Sequence, residues 1–145
     1  MDKFLEIFDK KTEIEIDNIR KCNEKISKYG LHLTEVDINN IIRSRNEALD
    51  STHRLELGSG IVDKMIMEFC DSQYIDETDF ADVISELIEI FYFYKNETKD
   101  MVTDDELIYF MRQSFENECG GSIEFLKGTS LAKFTAEVLR GNVDE

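Results

Sequence analysis

Apolar residues recur at spacings of three and four along almost the whole 145-residue chain, the period of one buried helix face and not the alternation of a strand. Phe4, Leu5 and Phe8 mark a short amphipathic turn within residues 1–11. From Thr12 a longer helix is expected to reach Tyr29, with Ile16, Ile19, Cys22 and Ile26 as its inner stripe. Gly30 then stands at C′ and Leu31 at C″, where it can pack back on Ile26 in a Schellman stop. Thr34-Glu35-Val36-Asp37 reads as an N-cap with an acid at N3. The helix it opens carries Ile38, Ile41, Ile42, Arg45 and Leu49 on one face.

Val62, Met65, Ile66, Phe69 and Cys70 repeat this spacing after a Gly58-Ser59-Gly60 turn, with Ser59 as the expected N-cap. "DSQYIDETD" makes the next break, and Asp76 or Thr78 is expected to cap the helix that follows. That helix, 78–96, has the clearest pattern: Phe80, Val83, Ile84, Leu87, Phe91 and Tyr94 inside, Asp79, Asp82, Glu86 and Glu89 outside. A capping box, Thr103 to Glu106, precedes a stripe of Leu107, Ile108, Met111 and Phe115, which Gly120-Gly121 ends. One turn from Ser122 to Leu126 leads to a last short helix carrying Leu131, Phe134, Val138 and Leu139.

These elements predict an all-α protein: one domain over 1–145, a bundle-like array of about six helices. Residues 1–11 are the short N-terminal helix, 12–140 the core and 141–145 a frayed tail, with at most one short extended segment near 54–57. The complete absence of proline permits such long helices.

Charge changes the picture most. Seventeen Lys and Arg face 32 Asp and Glu, a formal −15. The imbalance is concentrated in residues 71–106, where twelve acids accompany only Lys95 and Lys99. Such a field repels phosphate backbones and anionic membranes and attracts basic partners, so no direct nucleic-acid or membrane contact is expected. No apolar run approaches the roughly 18 residues of a membrane span. Three cysteines without a CxxC pair, Cys22, Cys70 and Cys119, indicate neither a zinc knuckle nor a redox motif and suit a reducing cytoplasm.

Catalytic chemistry finds little support. "LELGSG" superficially resembles the first motif of S-adenosylmethionine-dependent methyltransferases, and a Gly58–Gly60 cofactor turn is the alternative reading. Yet Asp63 stands where a dinucleotide fingerprint needs its third glycine, and no second strand is available for the parallel sheet such folds require. His32 and His53 form no metal-ligand pair, and the acids of 71–79 do not follow the EF-hand order. Cys22 and Cys70 lie on apolar faces. "LTEVDINNIIRSRNEAL" resembles one helix of a helix-turn-helix, but Arg45 falls on its inner stripe, where pairing with a carboxylate inside the bundle is expected. No catalytic, cofactor-binding or metal residue is assigned, and no cofactor is expected.

Taken together, "LTEVDINNIIRSRNEAL", "EFCDSQYI", "FYFYKNET" and "DDELIYFMRQSF" followed by "GGSIEFL" resemble an uncharacterised family of small bacterial proteins, found mainly in anaerobic Gram-positive lineages. The resemblance covers roughly residues 30–134 and implies a bacterial, cytoplasmic protein without bringing an activity. The residues themselves point to a small acidic helical protein acting through protein contacts or self-association as a homodimer. The expected interface combines Phe91, Tyr92, Phe93 and Tyr94 with Asp79, Asp82, Glu86 and Glu89, aromatic anchors inside a charged rim. A further alternative is an anti-regulator or nucleic-acid mimic whose acidic helix occupies a basic site.

Overall fold

Helix-forming residues without proline or glycine run unbroken from Lys3 to Ile26, and they form a single 24-residue helix, α1. The short N-terminal helix and the longer one expected after it are therefore one element. Asp9, Lys10, Lys11 and Thr12 contain nothing that stops a helix. In this computed structural model the described residues are 3–56 and 60–143, with side chains described for 12–56 and 60–141.

Capping chemistry sets most boundaries. A 3₁₀ turn, Ser27–Tyr29, follows α1. Gly30 adopts φ 78°, its N–H bonds to the Ser27 carbonyl at 3.0 Å, and the Leu31 N–H reaches the Ile26 carbonyl at 3.4 Å. Those two bonds are the Schellman pair, and both Leu31 and Ile26 are buried. Helix α2, Glu35–Ser51, opens with a full capping box. The Asp37 N–H donates to the Thr34 hydroxyl at 3.1 Å while the Thr34 N–H donates to the Asp37 carboxylate at 2.9 Å.

Helix α3, Val62–Phe69, begins differently from the expectation. Ile61 occupies its N-cap, no side chain caps it, and Leu57, Gly58 and Ser59 lie outside the described residues. Helix α4, Phe80–Glu97, has Asp79 at its N-cap without a side-chain bond, so neither Asp76 nor Thr78 caps it. Helix α5, Asp104–Glu116, shows half of its expected box. Thr103 accepts from the Glu106 N–H at 3.1 Å, but its hydroxyl then donates to the Glu106 carboxylate at 3.0 Å.

Asn117 ends α5, and Gly120 and Gly121 follow in the turn with positive φ. Ser122 caps the single turn α6, Ile123–Phe125. A π-helical stretch, Leu126–Ser130, joins α6 to α7, Leu131–Val143. There the Tyr94 hydroxyl donates to the Lys127 carbonyl. The helix continues through Gly141, Asn142 and Val143, and residues 144–145, the rest of the tail expected to fray, lie outside the described residues.

Among the described residues no strand forms, and the array is all-α, with six helices and the one-turn α6. Residues 54–56, here called the strap, carry neither helix nor strand, and Leu57, the end of the extended segment expected near 54–57, lies outside the described residues. The buried side chains form one cluster. Helix α4 runs through its centre, packed on α2, α3, α5 and α7, while α1 lies on α2 and α3. Phe69 meets Phe115 edge to face at 5.6 Å, and Phe110 stacks on Phe134 at 4.0 Å. Lys95, also buried, joins α4 to the entry of α5 through Asp104 at 2.8 Å and the Val102 carbonyl at 2.5 Å. Among the described residues no helix is long and apolar enough to cross a membrane.

Candidate functional site

The central position of α4 decides what becomes of the expected interface. Phe91, Tyr92 and Tyr94 are buried and belong to the core, so they cannot present aromatic anchors to a partner. A helix packed on four neighbours has to bury residues on several sides, and the consecutive aromatics supply that breadth. Phe93 alone of the four stays out, 48% exposed. Asp79, Asp82, Glu86 and Glu89 are all exposed, and none of the four carboxylates is paired with a cation among the described residues.

Steps of three and four place Asp82, Glu86, Glu89 and Phe93 on one side of the helix, with Asp79 just before it. From Asp82 to Phe93 the stripe is about 16 Å long at 1.5 Å per residue. It is a continuous acidic face that ends in an exposed aromatic ring.

A second cluster lies where the glycine turn raised the question of a cofactor. Arg45 is buried on the inner face of α2, as its place in the stripe indicated, and three groups surround it. Its Nη2 lies 2.5 Å from the Glu15 carboxylate on α1, its Nε donates to the Asn46 side chain at 2.9 Å, and its Nη1 lies 3.5 Å from Glu56 on the strap. The Tyr92 hydroxyl of α4 donates to the same Glu56 carboxylate. Burial, and then the Glu56 carboxylate, push the Tyr92 hydroxyl far above its usual range, so it remains a donor.

The cluster thus joins α1, α2, the strap and α4 through one guanidinium and one carboxylate. Gly60 has φ +71°, and a Cβ there would collide with the Glu56 carboxylate. Its glycine character serves that close approach. A cavity of about 270 Å³ adjoins the cluster, lined by Glu15, Arg45, Leu49, Asp50, Leu55 and Glu56 among others.

The sequence marked Arg45 as an inward cation but did not name its partners. Glu15 lies thirty residues away and Tyr92 lies within an aromatic run, so neither carries a local signal. Arg54 and Glu56 turn onto protein partners, while Leu55 is 95% exposed.

The other candidates resolve as packing. Cys22, Cys70 and Cys119 are buried free thiols, and burial is the main cause that raises each above its usual range, which suppresses the reactive thiolate. His32 and His53 are exposed. Asp71 is held by Arg112 at 2.7 Å, and Arg112 also reaches the Glu68 carbonyl. Among the described residues no group of three His, Cys, Asp or Glu side chains converges to hold a metal ion.

No curated protein and no solved structure matches the chain. The helical stripes, caps and turns described here fall largely within residues 18–144, the stretch matched by the model of a family of unknown function (DUF6323), and the chain belongs to that family.

Proposed function

We propose that this protein is a non-enzymatic helical module that binds a basic protein partner through the outer face of α4. The observation that carries this reading is the row Asp82, Glu86, Glu89 and Phe93, with Asp79 before it: carboxylates without a cation, ending at a half-exposed ring. A partner presenting Lys or Arg at matching spacing satisfies the carboxylates, and an apolar side chain covers Phe93. A second copy is a poor occupant of this face, because a two-fold axis across it brings carboxylates against carboxylates. The three free thiols suit a reducing compartment, and the cytoplasm is the proposed location.

The test is affinity capture with the full chain, followed by titration of the recovered partner across a salt series. Capture should weaken steeply as salt rises. It should fall at least tenfold in Phe93→Ala and be lost when Asp82, Glu86 and Glu89 are all changed to Lys. A partner that binds these variants as well as the parent chain would overturn the reading.

A further inference from the structure

Two helices of this acidic chain flank a cavity whose lining has the opposite sign. On α1, Asn18, Lys21, Cys22 and Lys25 stand at steps of three and four and so share one face. Helix α3 brings Asp63, Lys64 and Met67 to the same place, and together they line a cavity of about 510 Å³. Three ammonium groups and one carboxylate border it, although the whole chain carries 32 acids against 17 Lys and Arg. Its volume falls in the range of small-molecule sites.

Lys21 and Lys25 form no ion pair among the described residues. Arg20, beside them in the chain, is held by both Asp17 and Glu35. Like charges four residues apart on a helix repel each other, and an anion seated between them relieves that repulsion. Lys64 is tied to Asp105 on α5 at 2.9 Å, so its charge is partly neutralised. Asp63 accepts from the Lys64 N–H at 3.1 Å, which engages one of its oxygens at the start of α3. Asn18, half-buried on the lysine face, offers a side-chain amide donor. The remaining lining is apolar in character. Cys22 is buried, with its thiol on the Asn18 carbonyl at 3.6 Å, and Met67 is half-buried.

We propose that this cavity binds a small phosphate monoester. The phosphate sits between Lys21 and Lys25 and accepts from the Asn18 amide, and the organic part covers Cys22 and Met67. Lysine ammonium groups serve phosphate as point charges. The three lysines against Asp63 leave an excess of two positive charges, which matches a dianion better than a carboxylate. This inference uses neither the acidic face of α4 nor its partner.

The test is an NMR titration of the full chain with phenyl phosphate, inorganic phosphate and benzoate. Phenyl phosphate should shift the Asn18 side-chain amide, the Lys21 and Lys25 ammonium groups and the Met67 methyl along one saturating curve. Inorganic phosphate lacks the ring and benzoate lacks the second charge, so each should bind about fivefold more weakly or worse. Lys21→Gln and Lys25→Gln, both at exposed positions, should each weaken phenyl phosphate by about tenfold. Asp63→Asn removes the one repelling carboxylate and should tighten binding, a gain that a merely structural role for these residues does not produce. The proposal is overturned by unsaturated shifts spread equally over remote lysines such as Lys28 and Lys133, or by full affinity in the two lysine variants. Benzoate or inorganic phosphate binding as tightly as phenyl phosphate overturns it as well.

Discussion

Two groups of carboxylates in this chain live under opposite conditions. Glu15 and Glu56 are largely shielded from water and converge on Arg45, with Tyr92 adding a hydroxyl. Asp82, Glu86 and Glu89 are exposed, and none of them is paired with a cation among the described residues. The first group must be partnered, because an unpaired charge away from solvent costs several kcal/mol. The second is under no such demand, since water solvates it, and its only internal effect is weak mutual repulsion. Buried pairing therefore marks what ties the helices together, while the exposed row is held in place by solvent alone.

The sharpest way to break this comparison is Arg45→Ala. Leaving Glu15 buried without its cation should cost about 3–5 kcal/mol in urea unfolding. Replacing Arg45 by Met and Glu15 by Leu together should recover most of that loss, and a loss under about 1 kcal/mol in the single variant would show that the cluster does not tie the helices. Gly60→Ala should cost about 1–2 kcal/mol for the left-handed backbone alone, and more as the new Cβ displaces Glu56. A wild-type melting curve would refute the seat assigned to Glu56.

Neutralising Asp82, Glu86 and Glu89 to Asn or Gln should leave unfolding within about 0.5 kcal/mol per site of the parent. A larger loss would make the stripe structural and erase the contrast with the buried pair. The smallest effect is local and depends on pH. Arg54 lowers the Asp100 carboxyl below its ordinary value of 3.8, so their tie is complete above that pH and is lost as pH falls through the lowered value. The carbon shift of the Asp100 carboxyl should stay flat from pH 8 to 5 and move only in acid, below its ordinary 3.8. A change near neutrality would contradict the assignment.

Much of this fold was legible because its signals are local. The Schellman contact of Leu31 with Ile26 and the Thr34–Asp37 box each involve residues within five or so positions, and both formed as the spacing indicated. The stripes of α2, α3 and α5 likewise followed the helical period. What failed was of two kinds. Residues 9–12 looked like a junction only because their apolar spacing lapses, while nothing in them ends a helix. The run 91–94 was also read as an interface, although Phe91 and Tyr94 stood on the inner stripe and are buried there, because aromatics mark interfaces as readily as cores and periodicity does not say how many neighbours a helix has.

The proposed binding face was half legible. Its carboxylates were visible as the polar side of α4, but only burial of Phe91, Tyr92 and Tyr94 singled out Phe93. The sequence by itself determined the helices, most of their ends and the acidic imbalance, since propensity, capping and charge act over a few residues or none. The tertiary structure alone decided that Arg45 meets Glu15 and Glu56, that α4 lies at the centre, and that Leu55 faces out while its charged neighbours face in. Those outcomes depend on which distant segments share a dry interior, and that is a property of packing.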